Sequence, residues 1–155
     1  MASLDELPLS ARLFMKTYPW RRIEPVPWAR LGRPLAEAKI AIVSTAGLVP
    51  PDQAPFDGGV RGGDWSYREV ADSVDVTALV DTQRSQSYDH SGVRADANLA
   101  FPIDRLRELH GNVSHRHFSF MGSITAPGRL ATISAPEVAE KLVEDGVDAV
   151  LLVPI

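Results

Sequence analysis

The sequence predicts an α/β domain built on a mainly parallel sheet with flanking helices, a Rossmann-like three-layer arrangement. Three observations predict it. Lys39-Ile40-Ala41-Ile42-Val43-Ser44 is an apolar, β-rich run without polar alternation, as expected of a strand covered on both faces. Ser134-Ala135-Pro136-Glu137 reads as a capping box that opens a helix with Val138, Leu142 and Val143 on one face and Gly146 just past its end. Val147 to Val153 then forms a nearly all-apolar strand, and helix, glycine, buried strand is the order in which a parallel sheet is wound.

Taken in order, Leu7, Leu9, Leu13 and Phe14 fall near one helical face in a stretch that stops at Tyr18-Pro19. Pro25, Pro27 and Pro34 make the next segment an extended connector. After the first strand, eight of the eighteen residues from Ala46 to Gly63 are Gly or Pro, so no regular element is expected there. A loop of that length is either functional or a flexible insertion; Phe56 and Trp65 give it something to pack with and favour an ordered loop near a site. Val76 to Val80 reads as a second strand, followed by a polar stretch from Asp81 to Asp96 that contains Tyr88, Asp89 and His90. Asp104 is placed to cap a helix from Arg105 to His110, with Gly111 at its end, and His117 to Met121 reads as a third strand. The final strand is apolar enough to be central, yet no residues follow it to form a crossover helix or a neighbour. The sheet is therefore expected to be incomplete without a partner chain.

The chain has 155 residues, no cysteine and a net charge of -4. One domain is the natural expectation at this length. The missing cysteines exclude disulfides, thiolate metal sites and a cysteine nucleophile within these residues, and they fit a cytoplasmic setting. The acidic balance argues against a nucleic-acid surface. Residues 1–50 carry a net charge of +3 all the same, with Arg12, Arg21, Arg22, Arg30 and Arg33 interleaved with Tyr18, Trp20 and Trp28. That pattern suits a solvated arm or a contact with an acidic partner. No apolar run approaches the ~20 residues of a membrane span, and the first residues are acidic rather than leader-like, so no membrane association is expected.

Several ordered motifs resemble one family. Asp64-Trp65-Ser66-Tyr67, Tyr88-Asp89-His90, the run from Asp96 through Phe101-Pro102-Ile103-Asp104 to Leu109, His117-Phe118-Ser119-Phe120-Met121-Gly122 and the segment Asp145 to Pro154 are similar to the substrate-side selenoprotein B component of the glycine/sarcosine/betaine and D-proline reductases. The resemblance covers Lys39 to Ile155. It divides the chain into residues 1–38, a helix and a Pro-rich basic arm, and residues 39–155, the N-terminal part of a reductase-family α/β domain.

The resemblance implies a reductase that cleaves a C–N bond in a small amine or amino acid of the glycine, betaine, sarcosine or D-proline type. A selenolate or thiolate attacks the carbon beside nitrogen, in some members after a pyruvoyl group on a partner subunit has activated that nitrogen, and external thiols restore the chalcogen. A helix start after a buried strand favours the anionic nucleophile, because backbone N–H groups converge there. In the family this selenocysteine or cysteine follows the strand matched by Val147 to Pro154, which puts it beyond Ile155. Three explanations compete: a selenocysteine codon in the next position, a second half on another chain, or a noncatalytic binding or assembly role. A homo- or hetero-oligomer with a chain carrying the redox residue is the expected partner.

His90 and His117 are the candidate acid–base residues, since both lie in the family-like motifs and histidine moves protons near neutral pH; hydrogen-bonded structural roles are the alternative. His110 is explained by the helix end that it occupies. His115 and His117 share a strand face, but with Asp89 and His90 they have no metal-specific spacing, so no metal is assigned. Thr45 and Gly47, in the turn after the first strand, are candidates for binding a substrate carboxylate through backbone N–H groups and hydroxyls. Trp65 and Tyr67 suit either a wall for a small amine or the core, and Asp89 is a further substrate-binding candidate.

Overall fold

The computed structural model describes residues 7–18, 22–85 and 88–155. Trp20 and Arg21 of the basic arm, and the acidic residues before Leu7, lie outside them. The chain divides into two compact units, Met1–Arg30 and Leu31–Ile155. In the first unit, helix α1 (Leu9–Thr17) ends where Tyr18 turns extended before Pro19, its N–H donating to the Phe14 carbonyl at 2.9 Å. Leu9, Leu13 and Phe14 on this helix are exposed.

The second unit is a three-layer α/β fold around a four-stranded sheet. The strands are β1 (Ile40–Ser44), β3 (Tyr67–Ala71), β5 (Arg116–Phe120) and β6 (Ala149–Val153), in the order β3-β5-β1-β6. β5 and β6 run parallel to β1, and β3 runs antiparallel to β5. A separate two-residue ladder joins β2 (Leu48–Val49) to β4 (Val80–Asp81).

The period of two in β1 sorts its side chains onto the two layers. Ile42 packs with Val93 of α2 (His90–Ala95), Ile103 of α3 (Ile103–Leu109), Phe101 and Leu48. Ala41 faces the other way, onto Val138 and Leu142 of α4 (Ala135–Glu144) together with Phe118 and Phe120. Gly146, at φ +68, ends α4 as expected, with Val147 N–H returning to the Leu142 carbonyl at 2.9 Å.

Several expected elements differ. The strand over Val76–Val80 is a 3-10 turn at Val76–Ala78, because the Asp75 carboxylate accepts from both the amide and the hydroxyl of Thr77 and bends the chain. β3 was not expected, since Tyr67-Arg68-Glu69 carries the polar side chains of an edge strand. The polar stretch after Asp81 contains α2, capped by Asp89 through the amides of Ser91 and Gly92. Helix α3 starts two residues earlier than expected, and Pro102 rather than Asp104 occupies its N-cap. Asp104 instead accepts from Asn98 and Arg107.

The capping box at Ser134 does not form. The helical run begins upstream, passes through a π turn at Leu130–Ser134, and Ser134 donates to the Trp65 carbonyl at 2.5 Å. Pro136 has no N–H and its ring would strike the carbonyl four residues back in a regular helix, so the wider turn accommodates it. Finally, the apolar strand expected at the centre is β6, at the sheet edge. Leu152 is 68% exposed there, and the centre belongs to β1.

The glycine-rich loop is ordered, as the sequence suggested. Phe56 is buried with Val49 and Met121, and the Asp64 carboxylate accepts from the amides of Asp57 and Ser66, each at 2.9 Å. Burial pushes the Asp64 carboxyl up, but these amides and the Ser66 hydroxyl outweigh it and hold the group below its usual range.

Candidate active site at the carboxyl ends of the strands

β1 continues to β5 through α2 and α3 on one face, and β5 continues to β6 through α4 on the other. Adjacent strands whose onward connections leave on opposite faces part their loops and open a crevice at their carboxyl ends. Here the crevice lies between the turn Thr45–Gly47 after β1 and the turn Met121–Ser123 after β5. The two turns touch at Gly122, whose φ is +65; a Cβ there would stand 2.2 Å from the Thr45 carbonyl oxygen and 2.6 Å from Gln83 Nε2. Only glycine fits. Gln83 ties the junction by donating to that carbonyl at 3.2 Å.

A cavity of about 340 Å³ opens at this place, lined by Gln83, Ser85, Tyr88, Asp89, Ser123 and Ile155. Ser123 has φ +47, a left-handed conformation uncommon outside glycine. Asp89 lies at the rim as the α2 cap, and hydrogen bonds from Ser91 and the Gly92 amide hold its carboxyl below the usual range. The Tyr88 hydroxyl is buried and has no hydrogen-bond partner among the described residues. That burial, reinforced by the carboxylates of Asp81 and Asp89, pushes its pKa up to about 12.

Behind Tyr88, its ring meets His90 edge-to-face at 4.9 Å. His90 Nδ1 lies 2.5 Å from Asp81 Oδ2, and Nε2 lies 3.2 Å from the Ser85 carbonyl. Carboxylate and carbonyl oxygens only accept, so each ring nitrogen faces an acceptor, and Asp81 and the Ser85 carbonyl together fix the ring's orientation. Asp81 is itself largely buried, with Arg94 at 3.8 Å. Side-chain orientation from β4 and placement from the first turn of α2 make the pair.

Of the candidates, Asp89 lines the cavity and His90 stands behind Tyr88, while Thr45 and Gly47 lie in the turn after β1 and the others elsewhere. His117 is fully buried in the sheet. Between Ile40, which bridges Val113, and Val43, which pairs with Phe118, two residues of β1 face four of the neighbouring segment. His117 Nδ1 accepts from the Ile42 amide at 2.9 Å across that bulge and so supplies the acceptor that the ladder lacks. Its Nε2 has no partner among the described residues, and burial lowers its pKa to about 4.

Tyr67 packs in the α4 layer, edge-to-face on Phe118 at 5.6 Å. Trp65 lines a neighbouring groove under Arg129. His115 is on the surface near Asp145, and His110 contacts the Ala38 carbonyl. No group of three His, Asp or Glu able to hold a metal occurs among the described residues. The turn proposed for a carboxylate has its amides in use: Thr45 donates to Val153, Ala46 to the Ser44 hydroxyl and Gly47 to Phe120. Thr45 Oγ1 accepts from the Ile155 amide at 2.9 Å.

Asp81, Gln83 and Tyr88 were not singled out for chemistry by the sequence. Their signal was faint: a short polar run after an apolar one, made significant only by the return of α2 over it. Among the described residues, no helix is long and apolar enough to cross a membrane.

Comparison with known proteins agrees with the motifs. The pattern of glycine/sarcosine/betaine reductase selenoprotein B matches residues 7–154. The D-proline reductase subunit gamma of Acetoanaerobium sticklandii is 30% identical over 136 residues, covering 84% of this chain and 54% of the relative. The sarcosine reductase complex component B subunit beta of Peptoclostridium acidaminophilum is 29% identical over 154 residues, and the glycine reductase complex component B subunit gamma of Symbiobacterium thermophilum is 30% identical over 152. Each of these two alignments covers 93% of this chain and 34% of the relative, so the chain spans between a third and about half of the length of these relatives. No solved structure gives a significant match. With nearly its whole length matched by one family pattern and by relatives drawn from each of its named reductases, the chain belongs to the glycine/sarcosine/betaine reductase selenoprotein B family.

Proposed function

We propose that the chain forms the substrate-side face of a thiol- or selenol-dependent reductase that cleaves a C–N bond in a small amine or amino acid. The observation that carries this reading is the Asp81–His90–Tyr88 arrangement beside a cavity at the carboxyl ends of β1 and β5. The chalcogenolate that the family implies would supply a two-electron nucleophile. The residues around the cavity fit such a group, since the buried Tyr88 hydroxyl lacks a partner among the described residues and Gln83 Nε2 has one N–H beyond its bond to the Thr45 carbonyl, both donors to an anion.

The chain's own residues bind, orient and move a proton. Asp81 and the Ser85 carbonyl orient the His90 ring behind Tyr88, and Nε2 passes a proton to the departing amine once it leaves the Ser85 carbonyl. Asp89 at the rim faces the cationic end of the substrate. His117 holds β5 in register with β1, which keeps Gly122 and Ser123 in place. The redox residue and, in some members, a pyruvoyl group would be brought to this cavity by further polypeptide.

The test is turnover in a complex reconstituted from the full chain and the polypeptide that carries the redox residue. His90→Gln and Asp81→Asn are expected to lower turnover about 10²-fold while melting temperatures stay close to that of the parent. Unchanged turnover in both would favour the second reading, a noncatalytic assembly subunit, for which the open apolar edge of β6 is the specific support.

A further inference from the structure

Beside the cavity runs a second groove of about 470 Å³, lined by Val60, Arg61, Gly63, Trp65, Pro127 and Arg129 among others. The guanidinium of Arg129 lies 5.7 Å from the centre of the Trp65 ring. Between the two depressions stands Arg84, which donates to the carbonyls of Val60 at 3.1 Å and Ser123 at 3.0 Å and so joins the loop to the end of β5. The loop is held against the segment after β5 with no room to spare. A Cβ on Gly62 would stand 2.6 Å from that of Ala126, and one on Gly63 would stand 2.8 Å from Ile124 Cα.

The charge here is uncompensated. Arg33, Arg94, Arg105, Arg107 and Arg116 each have an acidic partner. Among the described residues, Arg61, Arg84 and Arg129 have none, although the chain as a whole carries -4. Two guanidinium groups on the rim, a third fixed in the adjoining wall, no carboxylate in the groove's lining and an aromatic floor suit an oxyanion on a small organic body, because guanidinium forks pair with carboxylates in two-point geometry.

We infer that Arg61 and Arg129 form an oxyanion anchor beside the candidate active site, taking the carboxylate of a small amino acid, with Arg84 as a fixed positive charge in the wall. This rests on the amino acid reading proposed above and adds the residues that select for the carboxylate. It also gives the carboxylate a site with side-chain donors, since the amides of Thr45, Ala46 and Gly47 are already used inside the fold.

Calorimetric titration of the full chain with four probes tests it: betaine, choline, acetate and inorganic phosphate. Choline keeps the quaternary ammonium of betaine and replaces its carboxylate by an alcohol. Betaine is expected to bind, with acetate and phosphate competing for the same site and choline failing to bind. Arg61→Gln and Arg129→Gln should each weaken betaine by about tenfold or more, with melting temperatures unchanged, and the double variant should remove the competition by acetate. Binding of none of the probes, equal binding of choline and betaine, or full betaine affinity in the double variant would overturn the inference. Failure of the parent reading looks different: acetate and phosphate would still bind through the two arginines, while the reconstituted complex would turn over no amino acid.

Discussion

His117 shows how a single residue's environment sets its chemistry. In water its imidazole would titrate near 6.5, but full burial beside Phe101 lowers this to about 4, so it is neutral in the folded protein at any ordinary pH. The unfolded chain takes up that proton at 6.5 and the folded chain only near 4. Its contribution is therefore complete above pH 6.5 and is lost as the pH falls from there towards 4, by about 3 kcal/mol in all. His117→Gln is expected to flatten that part of the stability profile, measured by denaturant unfolding at pH 7 and pH 4.5. An equally steep loss in the variant would show that other groups are responsible. His90 had the same standing in the sequence, yet it sits half-exposed with both ring nitrogens against oxygen acceptors, whereas His117 is enclosed and fastens two strands.

At the scale of the elements, the junction of β1 with β5 governs the site. The turns after both strands meet at Gly122, where the carbonyl of Thr45 occupies the volume that any side chain would need. Gly122→Ala is expected to cost about 3 kcal/mol, from the left-handed backbone and the collision together, and to displace Gln83 and Ser123 from the cavity. Thermal unfolding measures the first effect and ligand titration the second; a melting temperature within a degree of the parent would refute the close approach. The same junction explains why the long glycine-rich loop is ordered. Gly62 and Gly63 press on the segment that follows β5, and Asp64 ties Asp57, inside the loop, to Ser66, just past its end.

At the scale of the whole molecule, β6 is the unusual feature. It pairs with β1 along its full length and, among the described residues, with nothing on its other side, while Leu151 and Leu152 are 41% and 68% exposed. With Val43, Phe120, Val138, Leu142 and Val150 it borders an apolar groove of about 370 Å³. Parallel sheets are ordinarily covered on both faces, and an open apolar edge is a surface on which another polypeptide packs. The isolated chain is expected to self-associate and to bind a hydrophobic dye, and Leu152→Lys to reduce both. A stable monomer in sedimentation with no dye signal would refute this.

The sequence alone determined the apolar runs of β1, β5 and β6, the halt of α4 at Gly146 and the family-like motifs, because these depend on neighbours within a few residues. It also pointed to Asp89, which lines the cavity, and to His90, which stands behind Tyr88. Only the tertiary structure decided that β6 is an edge, that His117 completes a strand ladder, that Ser134 reaches for Trp65 instead of capping a helix, and that Asp81 orients His90. Each of those outcomes turns on a partner distant in sequence, or on a shift of one or two residues in register, and local periodicity carries no record of either.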